Sequence, residues 1–230
     1  MKLYLIKNLT GEEFTKEISN FQATHQKNFL KARDKFYEYQ IMLQEKEWKL
    51  EKEVDLKTCI GKLWSSSDKN SGKNAILRRI EINVPFKFAC DFFKDEIKLT
   101  HLNNSFKGTK IVEDLGNDTF YVYQCFKGNF IISDRDFSLF KHCFTLQDGR
   151  FAIVSFSAVH PKIPKRKRIV RAHLDMSVYL LTKIDEKRTL CETIQNGDPK
   201  GYIPTVFVNN RIKKELEGLI AIKNYLEKTI

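Results

Sequence analysis

Residues 132–144 read ISDRDFSLFKHCF. On a strand, successive side chains point to opposite faces. Phe137, Leu139, Lys141 and Cys143 then share one face, and Ser138, Phe140, His142 and Phe144 share the other. An ammonium group among Phe, Leu and Cys needs a reason. Either its stem lies on apolar surface while the charge reaches water, or it lines an interior cavity. Alternation alone leaves both readings open.

Working outward, similar short β-rich runs surround this one: TCIGKLW (58–64), AILRRIEINV (75–84), GTKIVEDL (108–115), DTFYVYQCF (118–126), RFAIVSFSAV (150–159), IVRAHLDMSVYLLTKI (169–184) and RTLCETIQ (188–195). Turn signals such as LGND, KGNF, QDGR and DEKR separate them. This spacing predicts consecutive antiparallel strands. One helical stretch, PFKFACDFFKDEIKLTHL (85–102), interrupts them, with Pro85 expected at its first position. After GDPKGYIP (197–204), Val208, Ile212, Leu216, Leu219, Ile222 and Leu226 recur at steps of three and four. They predict a closing helix over 204–229 whose apolar stripe packs on the sheet. At the other end, residues 12–53 are charged and lack Gly and Pro. Phe14, Ile18, Phe21, His25 and Phe29 repeat at helical spacing, predicting one long helix or two shorter ones docked on the rest. No internal repeat or linker is visible. The expected organisation is an N-terminal helical segment, 1–47, packed on an α+β domain, 48–230.

Composition narrows the function classes. The 230 residues carry 40 Lys and Arg against 29 Asp and Glu, a formal charge of +11, which favours anionic partners. The five cysteines form no C-x-x-C pair, and the five histidines have no metal-binding spacing, so a reducing cytoplasm and no metal are expected. The opening MKLYLIKNLTGEEF has an apolar run of only four residues, too short for a signal-peptide core, and no stretch has the length of a membrane span. No G-x-S-x-G elbow or acid pair on one strand face supports an enzyme. The sheet lacks the set of aromatics beside Gly and basic residues that RNA-binding sheets display, so nucleic acid is not expected.

Four stretches, in order, resemble START domains, the steroidogenic-acute-regulatory-protein-related lipid-transfer family. They are LNNSFKGTKIVEDLGNDTFYVYQ (102–124), SDRDFSLFK (133–141), VHPKIPKRKRIVRA (159–172) and DPKGYIPTVFVNN (198–210). The resemblance covers about residues 50–230. It implies a helix-grip fold, a curved nine-stranded antiparallel sheet around a long C-terminal helix, with one lipid held in a tunnel between them. Leu102-Asn103 departs from the family's usual Trp followed by Asp or Asn.

In sterol-carrying members of the family, a buried acid and an Arg face each other inside the tunnel. Matching from DTF puts Gln124 at the acid position and Lys141 at the basic one. Gln124 shares a face with Val122 and Phe126, and Lys141 shares one with Leu139. These residues, with Arg171, Ile212, Leu216 and Leu219, are the expected ligand-binding set. Arg171 pairs either with an acid on the sheet or with the cargo. With no acid at position 124, an anionic cargo is favoured as the partner of Lys141, which points to a phospholipid or fatty acid; an acid from another strand is the competing source. Phe130 and Ile131, in the loop joining the central strands, and the basic run Lys165, Arg166, Lys167 and Arg168 are expected to meet an anionic membrane surface peripherally. The implied activity is binding and transfer of a single lipid, with no cofactor, by a monomer. A lipid-sensing or scaffolding module is the alternative, followed by an enzyme of the wider helix-grip group.

Overall fold

The structure is a computed structural model and describes residues 23–56, 59–67, 74–102, 105–203 and 205–230. Phe14, Ile18 and Phe21 lie outside these. The helices are α1 (Ala23–Glu45), α2 (Phe86–Lys94), α3 (Glu96–His101) and α4 (Thr205–Thr229). The strands are β1 (Lys49–Asp55), β2 (Ile60–Ser67), β3 (Asn74–Ile82), β4 (Phe106–Gly116), β5 (Thr119–Phe126), β6 (Arg135–Thr145), β7 (Phe151–Ser157), β8 (Val170–Arg171), β9 (His173–Lys183) and β10 (Thr189–Asp198). They form one curved sheet in the order β1-β2-β3-β10-β9-β7-β6-β5-β4, with β8 beside β6. Helices α2 and α3 carry the chain from β3 to the far edge at β4.

Local chemistry explains most turns. Gly116, Asn117 and Asp118 all take positive φ, which lets β4 return tightly as β5. The helical reading of 12–53 ran too far, because KLEKEVD is strand β1. Its ladder to β2 overrides the helix preference of Glu and Lys. The stretch 85–102 is two helices, broken at Asp95, whose carboxylate accepts from the N–H of Ile97 (3.0 Å) and Lys98 (3.1 Å). Pro85 is the N-cap of α2, one residue before the expected place. The tenth strand is the short β8. Val170 N donates to Asp134 O and Ala172 N to Asp136 O before the chain crosses to pair with β7 and β10.

Helices cover both faces. On the outer face, Phe29, Ala32, Phe36, Tyr39 and Met42 of α1 pack on Leu77, Phe140, Ala152, Val154, Phe156, Val178 and Ile194. Each large side chain buried there is worth about 1.5–3 kcal/mol. His142 also lies on this face. It is buried, its Nδ1 is 2.8 Å from Thr119 Oγ1, and its ring centroid is 4.5 Å from that of Phe29. On the inner face, α4 lies over β1–β3 while α2 packs on β9 and α3 on β4. Ile80, Ile82, Cys143, Phe151, Ile153 and Leu181 meet Phe92, Phe93, Leu219, Ile222 and Leu226 there.

Candidate functional site

Lys141 rises from the middle of β6 on the inner face, opposite Phe120 of β5 and Ser155 of β7. Only 2% of it is exposed, so it does not snorkel to water. Its Nζ donates to Glu96 Oε1 (2.6 Å), Lys94 O (3.1 Å) and Phe93 O (3.3 Å), which uses all three N–H groups. The two carbonyls belong to the last turn of α2, where helix carbonyls lack partners and a cation is favoured. Glu96 opens α3, where an anion is favoured. Its second oxygen, Oε2, accepts from Gln124 Nε2 at 2.9 Å. Burial pulls the Lys141 pKa down, but the Glu96 charge and hydrogen bond more than offset this, and the pKa stands above the ordinary lysine value.

This corrects the sequence-based expectation. The acid facing Lys141 is supplied by a helix, and the cargo is not needed as its counter-charge. Glu96 could not be found by strand alternation, because it sits on no strand. Gln124 does face Lys141's partner, as a donor to the carboxylate.

A second buried cation lies on the same face. Arg78 of β3 donates from Nε to Thr193 Oγ1 (2.8 Å), from Nη1 to Glu215 Oε2 (2.9 Å) and O (3.3 Å), and from Nη2 to Gln195 Oε1 (3.3 Å). Glu215 belongs to α4, so this pair ties the sheet to the closing helix. Its signal was legible: in AILRRIEI, Arg78 falls between Ile76 and Ile80 on one face. Between the two cations, Ser155, Ser177 and Gln195 stand opposite one another across β7, β9 and β10, continuing the row that begins at Lys141. With strands about 4.8 Å apart, this polar row spans roughly 14 Å.

Most of the other inner-face side chains on β5 and β6 are apolar. Val122 and Leu139 are buried with Leu174, against Phe120 and Phe137. Phe126 is half-buried, with ring centroids 4.2 Å from Phe106 and 5.6 Å from Phe137. Leu216 packs on Leu63 and Ile76, and Leu219 on the larger cluster. The Ile212 side chain lies outside the described residues. Phe120, Gln124, Phe137, Ser155, Ser157, Tyr179 and Gln195 all keep partial exposure although helices cover this face. Sheet and helices therefore do not close completely over β5, β6 and β7. Arg171 takes a different place. It grips Asp136 through Nε (2.6 Å) and Nη2 (3.0 Å) and donates to the carbonyls of Ile163 and Pro164. Asp136 alternates with Phe137, so this pair faces away from Lys141 and holds the loop after β7.

One end of the sheet gathers the loops after β5, β7 and β10. In 127–134, Asn129 accepts from the N–H of Ile131 and Ile132. A Cβ on Gly128 would stand 1.9 Å from Ile132 O, so only glycine fits this turn. The turn expels Phe130, which is 98% exposed, and Ile131. Val159 (96%) and Tyr202 (84%) are exposed in the neighbouring loops. Lys165, Arg166, Lys167 and Arg168 are exposed as well. Arg166 stacks over the Tyr123 ring at 4.8 Å. Among the described residues no helix is long and apolar enough to cross a membrane, and no His, Cys, Asp and Glu cluster is arranged to hold a metal ion.

Among curated sequences, none matches this chain. Solved structures do. The chain is similar to human StAR-related lipid transfer protein 5, with a TM-score of 0.78 at 16% identity over 91% of this chain and 99% of that one. It is similar to human STARD10, with a TM-score of 0.73 at 20% identity over 84% and 78%. It is also similar to a STAR-related lipid transfer protein fragment from Xanthomonas axonopodis, with a TM-score of 0.66 at 16% identity over 78% and 98%. At these identities the likeness shows the fold. The START domain profile matches residues 32–219, from within α1 to within α4, and the chain belongs to the START domain family.

Proposed function

We propose that this protein is a carrier that takes one lipid between the inner face of the sheet and α4 and moves it between membranes without chemical change. The observation that carries the reading is the half-buried apolar floor, Phe120, Phe126 and Phe137 beside Val122 and Leu139, under covering helices in a START domain. Each methylene placed there gains about 0.8 kcal/mol. The proposed cargo is a phospholipid or fatty acid, but its anion is not read by Lys141. The proposed setting is the cytoplasm, with the chain working as a monomer and 1–47 as part of the same unit. Donor and acceptor vesicles test the reading. Native mass spectrometry of the protein after exposure to donor vesicles should show one lipid per chain, and labelled lipid should appear in acceptors. Binding without movement would make the protein a sensor, and a changed lipid mass would make it an enzyme.

Membrane contact is proposed at the end that carries Phe130, Ile131 and the basic loop. Changing Lys165, Arg166, Lys167 and Arg168 together to Gln should weaken flotation with anionic vesicles by up to about 1 kcal/mol per charge. The loss should shrink as salt rises, because exposed charges are screened beyond about 10 Å at 0.1 M. Unchanged flotation at low salt would leave the loop as solvated surface. Replacing Phe130 and Ile131 by Ser should slow transfer even where flotation survives, because exposed apolar side chains favour the membrane interface.

A further inference from the structure

Arg135 is the first residue of β6 and shares the face of Phe137 and Lys141. It is 9% exposed. Every other cation buried on this face has a carboxylate: Glu96 for Lys141 and Glu215 for Arg78. Arg135 has none among the described residues. Its Nη1 donates to Ser133 O and its Nη2 to Lys200 O at 3.4 Å. Its Nε is buried and has no partner among the described residues. The nearby acids are committed elsewhere. Asp134 holds Lys107 and the N–H of Gly128, Asp136 holds Arg171, and Asp198 holds Lys200. A buried guanidinium without a counter-charge costs several kcal/mol unless something else supplies the anion. Desolvation lowers its pKa from the usual arginine range.

Position says where that anion comes from. The two carbonyls that Arg135 does reach belong to the loop before β6 and to the loop that leads into α4, and a Cβ on Gly201 would come within 3.5 Å of its Nη2. The guanidinium thus sits where the β5–β6 loop and the approach to α4 meet, at the end of the apolar floor beside exposed Phe130 and Tyr202. A lipid lying along Phe137, Leu139 and Val122 would bring its head group to this point. A guanidinium fork matches the oxygens of a phosphate. We propose that Arg135 binds the phosphate of a glycerophospholipid cargo, held with its acyl chains over the floor and its head group between these two loops. The inference rests on the carrier reading above and names its substrate class.

Two soluble probes isolate the phosphate: dihexanoyl phosphatidylcholine and dihexanoylglycerol, measured by titration calorimetry. Phosphatidylcholine has no net charge, so the protein's overall positive charge does not bias the comparison. The wild type should bind the phosphate-bearing probe at least tenfold more tightly. Arg135→Gln should bring the two within about twofold while leaving dihexanoylglycerol affinity unchanged, and Arg135→Lys should keep part of the preference. Urea unfolding of both variants checks that they fold. A wild type that binds both probes equally, or an Arg135→Gln protein that keeps the preference, overturns the inference while the carrier reading stands. A wild type that binds neither probe overturns the inference, and the vesicle transfer assay then decides the carrier reading by itself. Vesicles of phosphatidylcholine separate the remaining source: if Arg135→Gln loses flotation but keeps its affinity for the soluble phospholipid, the phosphate belongs to the bilayer and the cargo site is wrong.

Discussion

Lys141→Met should destabilise the lipid-free protein by about 3–5 kcal/mol, read as a fall in the urea midpoint. The change removes the ammonium and leaves Glu96 charged, buried and held by Gln124 alone. It also strips the last carbonyls of α2 of their donor. Had the cargo been the partner of Lys141, as the sequence favoured, the lipid-free protein would lose no ion pair. Adding Glu96→Leu to Lys141→Met should recover most of the loss, since replacing both members of a buried pair by apolar groups is often neutral. A single substitution that costs less than about 1 kcal/mol would mean that the pair is not formed in solution. The pH dependence has a definite sign. The folded pKa of Lys141 is raised, so its contribution is complete below the unfolded value and is lost only as pH climbs through the raised one. Alkaline titration should therefore weaken the wild type more than the double variant.

Acid should loosen the other face. Burial between the sheet and α1 lowers the His142 pKa from 6.5 to about 4, against a small opposing effect of Asp118. A neutral histidine in the folded state and a protonated one in the unfolded state make stability rise with pH across that interval. The contribution is complete above about pH 6.5 and is lost as pH falls towards 4. At 1.36 kcal/mol per pKa unit it amounts to about 3 kcal/mol. His142→Phe, which keeps a ring against Phe29 and Phe144, should remove most of the acid slope. A wild type whose urea midpoint is flat from pH 7 to 4.5, or a variant with the same slope, would show that another group titrates. Hydrogen exchange should place the first acid-induced opening in α1.

How much of this was legible beforehand depended on the range of each signal. Alternation along β6 assigned Lys141 and His142 to opposite faces correctly, because strand period is local. The stripe Leu216, Leu219, Ile222 and Leu226 gave the docking face of α4 for the same reason. Glu96 was missed because its meeting with Lys141 depends on how α2 turns into α3, and residues 45 apart in sequence carry no common period. Arg171 was left undecided for a similar reason, since the short β8 that aims it at Asp136 has too few residues to show alternation. Arg78 obeyed the same rule as Lys141 and could have been read. Arg135 could not, because what sets it apart is the absence of an acid around it in space.

Among the described residues the sheet is long but not closed, and β1 and β4 are its two edges. An open edge offers unpaired N–H and C=O groups to any passing strand. Both edges here are poor templates. β1 reads KLEKEVD and slips register between Leu50 and Lys52. β4 breaks register three times, between Phe106 and Gly108, Ile111 and Glu113, and Asp114 and Gly116. A second copy approaching either rim would meet charge or a twisted ladder instead of a flat row of donors and acceptors. For a protein with 18 phenylalanines and an apolar floor that helices must keep covered, such rims guard against aggregation by strand addition whenever the fold breathes.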